Sequence, residues 1–362
     1  MQYLEVTPAR RVTELDIERH GLWAGLFCSV LGLAAGLLVF AGQRPAVFGG
    51  VSAGLVAAIC AAVSAAVCTV HAFRSMLLAR EPWLKRIPAW RRWAAGTGLL
   101  LVHAASVALA VLVVALLLQR AFFGLQLDLL SASLAVAAAS GISAYLCLVS
   151  IARTTSESLS VVLGLFMASG VLVSMLLAED PWWWRSMFSA LGTRQAGAGS
   201  AWIFNSTLVI SGLVLAALVE FLTRDLARIA LRYQSRSRWR KPRPAFVRWC
   251  LLLVAAGIIG VGVFPVSLAE LLHSSCVRLA AVAMIVLLAA TVLVLPGFPL
   301  VFHLMSYAAI GAFWAGFELW NSWGYYNLTG FELAAVAVIF SWIAAFIRTT
   351  AAMQRDAAAR ES

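Results

Sequence analysis

Ten runs of apolar residues constrain the fold of this chain more than any other feature of its sequence. A helix needs about 20 residues to cross the hydrocarbon core of a bilayer, and each run is close to that length. Hydrocarbon offers no partner to backbone polar groups, so a spanning segment must be a helix or part of a closed barrel. The chain is 62% hydrophobic and 12% charged, whereas about a quarter of the residues in soluble domains are charged. We therefore predict an all-α fold, a polytopic transmembrane helix bundle.

The predicted spans follow one another closely, with short connections between most of them. Leu295-Pro296-Gly297 is the whole connection between the eighth and ninth spans, and Pro and Gly favour a tight turn there. A single kinked element in place of these two spans is the alternative. The spans are predicted near residues 21–42, 49–72, 94–118, 129–152, 158–178, 202–222, 247–265, 272–294, 298–317 and 330–348.

The distribution of Lys and Arg tests the number of spans, because cytoplasmic loops are enriched in these residues. With the N-terminus and the C-terminus both cytoplasmic, the basic loops alternate as ten spans require, and the loop Arg224–Trp249 is the most basic. We expect a multi-pass protein of the inner (plasma) membrane. The net charge of +11 then reflects this topology, and no nucleic-acid partner is expected. The basic residues predicted outside are Arg44, Arg120, Arg185, Arg194 and Arg278.

Small residues within the spans predict how the helices pack. The patterns Gly32–Gly36 and Gly50–Gly54 place small residues four apart, which lets helices approach closely. The six cysteines lie in or beside apolar runs, without the paired spacing of a zinc site or a disulfide framework. We interpret them as small core residues and expect no metal and no cofactor.

Polar residues stand out on the predicted outer face, and the first patch is the stretch from Ser189 to Gly212. Asn205 enters the sixth span, and an amide at that depth needs a hydrogen-bond partner on another helix or on a ligand. The preceding tryptophans, Trp182–Trp184, are typical of anchors in the head-group zone. The candidate ligand-contacting residues of this patch are Ser189, Gly192, Trp202 and Asn205.

A second outer patch surrounds the connection between the seventh and eighth spans. If the eighth helix has begun by Glu270, then Glu270 and Arg278 lie on one helical row, with His273 on its flank. Arg278 would lie about one to two turns into the membrane, where an ionisable group is costly and by default paired or functional. The alternative to a functional role for these residues is a purely structural network between Glu270 and Arg278. The candidate residues are Phe264, Pro265, Glu270, His273 and Arg278.

The third outer patch, between the ninth and tenth spans, interleaves aromatic residues with amides and acids. Such a rim is typical of contacts with lipid head groups or carbohydrate, and an aromatic belt at the membrane interface is the alternative. Acids outnumber bases on the predicted outer face, so an anionic substrate would depend on the few outer arginines. The candidate residues are Glu318, Asn321 and Glu332.

The order Ser-x-Leu-Gly, Trp-x-Phe-Asn and Gly-x-Phe-Pro, followed by a histidine, resembles a bacterial six-span membrane family of unknown function (DUF) related to the Frag/DRAM/Sfk superfamily. The resemblance covers about residues 155–350. It implies a four-span module at 1–153, a six-span module at 154–350 and a cytoplasmic tail at 351–362. Eukaryotic relatives are linked to lipid remodelling, transbilayer lipid distribution and autophagy modulation, so the resemblance implies a lipid-related role. The residues that carry it are Ser189, Leu191, Gly192, Trp202, Phe204, Asn205, Gly212, Gly262, Phe264, Pro265 and His273.

Three classes of function are compatible with the sequence. The first is an accessory protein that binds or handles lipid at the outer leaflet, with membrane lipids as partners and a membrane protein or second copy as a further partner. The second is a transporter of a lipid-linked or small amphipathic substrate, with Arg278 and Glu220 as path residues. The third is a membrane enzyme or haem protein, although no catalytic triad or multi-histidine motif is evident. The histidines considered for haem are His20, His71, His103 and His303.

Overall fold

A computed structural model describes residues 12–232 and 242–359, which are mainly helical and contain no named strand. Ten helices are long and apolar enough to cross a membrane. The all-α fold with ten spans is therefore confirmed for this part of the chain. The predicted basic loop Arg224–Trp249 falls partly on residues 233–241, outside the described residues. The helices are α1 Glu14–Val39, α2 Ala53–Ala72, α3 Ala89–Ala121, α4 Leu129–Ala152, α5 Ser156–Leu176, α6 Ala198–Arg232, α7 Pro244–Val263, α8 Glu270–Val294, α9 Leu300–Asn321 and α10 Leu328–Ala359.

Capping residues explain where the helices begin relative to the predicted spans. The Asp128 carboxylate accepts hydrogen bonds from the amides of Leu130 and Ser131, so α4 begins where the apolar run begins. The Ser131 hydroxyl also donates to Asp128, and these bonds hold the pKa of that carboxyl below its usual range. Helix α1 begins before its predicted span, because Thr13 and Asp16 form a capping box. Hydropathy thus locates the apolar part of a helix and not its polar first turn.

The eighth and ninth spans are two separate helices. Helix α8 ends at Val294 and α9 begins at Leu300. Between them Gly297 has a φ of +89°, in the left-handed region that favours glycine. The alternative of a single kinked element is therefore wrong.

The chain forms two compact units, Met1–Thr154 and Thr155–Ser362, and each is described by itself. In the first unit, α1 and α2 pack against α4, and α3 packs against α2. A Cβ atom at Gly32 would lie 2.7 Å from the Ser140 hydroxyl, and one at Gly36 would lie 2.6 Å from the Ser133 Cα atom. The Gly32–Gly36 pattern therefore brings α1 against α4 within the chain.

The second glycine pattern behaves differently at its two ends. Helix α2 begins at Ala53 after the capping residue Ser52, so Gly50 lies outside the helix. A Cβ at Gly50 would meet no described atom within 4 Å, whereas one at Gly54 would lie 2.7 Å from the Val47 carbonyl oxygen. Close packing is thus found at Gly54 and not at Gly50.

In the second unit, α6 packs against α5 and α7, α7 packs against α8, and α10 contacts α5, α6 and α9. A Cβ at Gly212 of α6 would lie 2.8 Å from the Ala255 carbonyl oxygen of α7. A Cβ at Gly262, near the end of α7, would lie 2.6 Å from the Asn205 carbonyl oxygen of α6. The last turn of α7 therefore lies directly against the early turns of α6.

Three connections lie at one end of the second unit, which we call the loop end. They are residues 177–197 between α5 and α6, residues 264–269 between α7 and α8, and residues 322–327 between α9 and α10. Most of the candidate residues from the three predicted patches lie on these connections or on the adjoining helix turns.

We predict that Gly36→Ala lowers the melting temperature of the purified protein, although alanine is the better helix former by about 1 kcal/mol. The added Cβ would meet the backbone of Ser133, which cannot rotate away, and such overpacking costs about 1–3 kcal/mol. Thermal unfolding in detergent, followed by tryptophan fluorescence, measures the change.

The matched control is Gly164→Ala in α5, where a Cβ would meet no described atom within 4 Å. That variant should melt at or above the wild-type temperature. A Gly36→Ala protein as stable as its Gly164→Ala counterpart would contradict the close packing of α1 on α4.

Candidate functional site

The connection 177–197 at the loop end is a folded loop. It contains three 3₁₀ turns, at Trp183–Arg185, Phe188–Gly192 and Arg194–Ala196. The amide of Glu179 donates to the Ala196 carbonyl at 3.0 Å and brings the two ends of the loop together. The loop therefore presents a fixed set of backbone groups to the helices around it.

Helix α10 holds this loop through two side chains. The Phe188 amide donates to a Glu332 carboxylate oxygen at 2.5 Å. The Asn327 side-chain amide, just before α10, donates to the Trp184 carbonyl at 2.7 Å. These bonds join segments that are far apart in the sequence, so α10 fixes the position of the loop.

Helix α6 holds the other half of the same loop. The side-chain amide of Asn205 donates to the Gly192 carbonyl at 2.9 Å. A Cβ at Gly192 would lie 2.5 Å from the Asn205 side-chain oxygen, so only glycine fits this contact without displacement. The protein partner of Asn205 is thus a loop carbonyl of the same unit and not, as the sequence suggested, a group on another helix. The residues next to Gly192 and Asn205 in the chain belong to a buried apolar cluster of Met167, Phe188, Leu191, Phe204 and Leu208.

Two hydroxyls at the loop end are buried without a hydrogen-bond partner among the described residues. Ser189, which follows Phe188, is 6% exposed, and Thr329, on the first turn of α10, is 3% exposed. Thr329 lies three residues before Glu332, so the two share one face of α10. Ser189, Gly192, Asn205 and Glu332 are therefore brought together, whereas Trp202 is 73% exposed on the surface of α6.

The corner between α7 and α8 is closed by His273. This side chain is 5% exposed, and its Nδ1 atom lies 2.8 Å from the Phe264 carbonyl oxygen. A carbonyl can only accept, so Nδ1 carries the proton. The Pro265 carbonyl accepts two further amides of the same corner. Because Gly262 lies against Asn205, this corner belongs to the same end as the folded loop.

Glu270 and Arg278 do not form the structural network that was the alternative to a functional role. Both side chains are exposed, and no ion pair joins them in residues 12–232 and 242–359. The residues around Arg278 on α8 are exposed and aliphatic: Val277 at 42%, Leu279 at 40% and Val282 at 60%. Arg278 is therefore a charged group on a surface that otherwise suits hydrocarbon.

The candidates on α9 form a local arrangement of their own. The Ser322 hydroxyl donates to the Glu318 carboxylate, and Asn321 is exposed. Trp320 stacks on Phe331 with ring centroids 5.6 Å apart, which joins α9 to α10. Within the described residues, no hydrogen bond links Glu318 or Asn321 to the folded loop.

Exposed aromatic side chains surround the loop end. The Arg185 guanidinium lies 3.8 Å from the ring centroid of Trp182 and 5.4 Å from that of Trp184. Both contacts are cation–π interactions, which stabilise the positive charge. On the connection 322–327, Trp323 is 77% exposed and Tyr325 is 73% exposed. This arrangement is typical of the level of lipid head groups.

One charged pair lies within the spans, away from the predicted site. Arg248 of α7 donates to both carboxylate oxygens of Glu220 of α6, at 2.7 and 3.0 Å. The sequence predicts Glu220 as a path residue of a transporter and does not identify Arg248 as its partner. A signal for that partner exists, because Arg248 lies near the start of the predicted span 247–265 and Glu220 lies near the end of the predicted span 202–222.

The four histidines considered for haem differ in their contacts and burial. Both ring nitrogens of His103 are hydrogen-bonded, to the Leu99 carbonyl at 2.8 Å and to Ser150 at 3.0 Å. The rings of His20 and His71 stack with centroids 6.2 Å apart, and His303 is buried in α9. No group of three or more His, Cys, Asp or Glu side chains within the described ranges could hold a metal ion.

The chain matches no protein-family model, no curated protein and no solved structure.

We predict that Asn205→Ala loosens the folded loop. Loss of one hydrogen bond to the Gly192 carbonyl costs about 1 kcal/mol, which corresponds to about fivefold faster hydrogen exchange if the loop opens locally. Hydrogen exchange with mass spectrometry on peptides covering residues 186–197 measures the rate.

The control is Asn321→Ala, which removes the same side chain from an exposed position at the end of α9. It should leave exchange in residues 186–197 unchanged. Equal exchange in wild-type and Asn205→Ala protein would show that the bond does not hold the loop.

Proposed function

We propose that this integral membrane protein handles phospholipids in the leaflet that borders the loop end of its second unit. The ten apolar helices make it a multi-pass membrane protein. The loop charges predict that this leaflet is the outer one and that the membrane is the inner (plasma) membrane. The role would be that of an accessory factor in envelope lipid organisation or remodelling.

Arg278 is the observation that carries this proposal. It lies eight residues after Glu270, the first residue of α8, which corresponds to about 12 Å along the helix. Side chains on a helix lean toward its N-terminus, so the Arg278 side chain extends toward the loop end. Arginine commonly reaches from apolar depth to the membrane interface in this way.

A lipid phosphate is the group that satisfies an arginine in this position. An ionisable side chain among exposed aliphatic residues is costly unless it finds a partner. The guanidinium matches phosphate oxygens with two parallel hydrogen bonds. The exposed tryptophans and tyrosines of the loop end support this interpretation, because such residues gather at head-group level.

The transporter alternative depends on Glu220 and Arg278 as path residues. Arg248 binds both oxygens of Glu220 at the interface of α6 and α7, which gives Glu220 a structural role. Arg278 lies on an exposed helix surface, so it is accessible to lipid. The ion pair accounts for Glu220, and lipid handling accounts for Arg278. Neither charge then requires a transport path.

We predict that Arg278→Ala retains about tenfold less anionic phospholipid than the wild type, because a charge-assisted bidentate contact is lost. Arg278→Lys should lose less, since lysine keeps the charge and only the paired geometry is removed. Native mass spectrometry of protein purified in mild detergent and incubated with phosphatidylglycerol counts the bound lipid.

Arg120→Ala is the control, because Arg120 is also an exposed arginine, in the last turn of α3. It should retain lipid as the wild type does. Lipid retention by Arg278→Ala at the wild-type level would overturn the assignment of the phosphate to this residue.

A further inference from the structure

Buried polar atoms without partners converge near Glu332. The hydroxyls of Ser189 and Thr329 are buried and have no hydrogen-bond partner among the described residues. Leaving a buried hydroxyl unpaired costs free energy, so such atoms point to a group that the fold is built to receive. Two of them at one end of one unit are more than isolated packing defects.

Glu332 provides a third acceptor in the same place. One carboxylate oxygen accepts the Phe188 amide, and the described residues place no hydrogen bond on the other. No ion pair to Glu332 is formed within residues 12–232 and 242–359. A half-buried carboxylate without a counter-charge favours a cationic partner.

Chain connectivity and one hydrogen bond keep the three groups near one another. Ser189 follows Phe188, whose amide is in contact with Glu332, and Thr329 is one helical turn before Glu332 on α10. Residues three apart on a helix have Cβ atoms about 5–6 Å apart. These connections place Ser189, Thr329 and the Glu332 carboxylate within one small volume of the loop end.

The chemistry of this volume selects a primary ammonium group. We propose that Glu332, Ser189 and Thr329 bind the primary amine of a phospholipid head group, an inference that rests on the proposed lipid-handling function. An ammonium group has three N–H donors, one for each acceptor named here, and its charge pairs with the carboxylate. A quaternary ammonium has no N–H donor and would leave both hydroxyls unpaired.

The surroundings also favour a cation. Arg185 already lies against the faces of Trp182 and Trp184, so the aromatic rim stabilises positive charge. The acids of the loop end, which outnumber its arginines in the sequence, act in the same direction. Glu332 would add selectivity for the amine to the lipid binding of the proposed function.

The test is a competition between two lipids that differ only in the head-group nitrogen. Purified full-length protein is incubated with equal amounts of phosphatidylethanolamine and phosphatidylcholine carrying the same acyl chains, and native mass spectrometry counts each bound lipid. We expect the wild type to retain about tenfold more of the amine lipid, as the loss of charge-assisted hydrogen bonds implies. Glu332→Gln and Thr329→Val should bring the ratio close to one.

Two features keep this test independent of misfolding. The amide oxygen that Glu332→Gln introduces can still accept the Phe188 amide, so the loop keeps its anchor, which an unchanged melting temperature verifies. Glu157→Gln is the control, because Glu157 pairs with Arg355 at the opposite end of the same unit and should not affect the ratio. Excess soluble ethanolamine, but not choline, should displace the lipid if the amine itself is recognised.

The outcomes separate the two proposals. A wild-type ratio near one, or a ratio that Glu332→Gln leaves unchanged, overturns the amine site. Arg278→Ala should lower the retention of both lipids and leave their ratio intact. If Arg278→Ala has no effect while the ratio still depends on Glu332, the amine site stands and the phosphate contact fails.

Discussion

The hydrogen bond between the Phe188 amide and the Glu332 carboxylate is the contact on which the loop end depends. A backbone amide at the edge of a membrane needs an acceptor, and a half-buried carboxylate needs donors, so each satisfies the other. Asn327 and Asn205 complete the arrangement by binding the Trp184 and Gly192 carbonyls. Helices α6 and α10 thereby share one folded loop, and the groups left unpaired there become available for a ligand.

In both units, the helices pack through small residues. Gly36 of α1 lies against α4, and Gly212 of α6 lies against α7. Close packing of this kind stabilises helix association in a bilayer, because apolar side chains are already in an apolar environment when they face lipid. One charged pair within the spans, Glu220 with Arg248, is neutralised internally. The polar contacts of the folded loop lie instead at helix ends, where side chains bind backbone carbonyls and amides.

The sequence predicts the fold well because hydropathy and loop charge respond directly to the bilayer. It locates α4 to the residue, since the Asp128 cap coincides with the apolar run, but it misses the polar first turn of α1, which lies outside that run. Of the site, the sequence identifies Asn205 and Glu332 as distinctive. It cannot identify their partners, because a loop carbonyl or amide carries no side-chain signature. The sequence does not identify Thr329 as a site residue, because a single threonine is informative only once its burial is known.

Direct observation of lipid at the loop end tests the central claim most directly. An electron cryomicroscopy structure of the full-length protein in nanodiscs of native lipid would show whether a head group lies beside Arg278. The account predicts phosphate density within about 3 Å of the guanidinium, with acyl chains along the exposed face of α8. An Arg278 side chain that is paired with a protein carboxylate, or that lies beside acyl chains alone with no head group in contact, would contradict it.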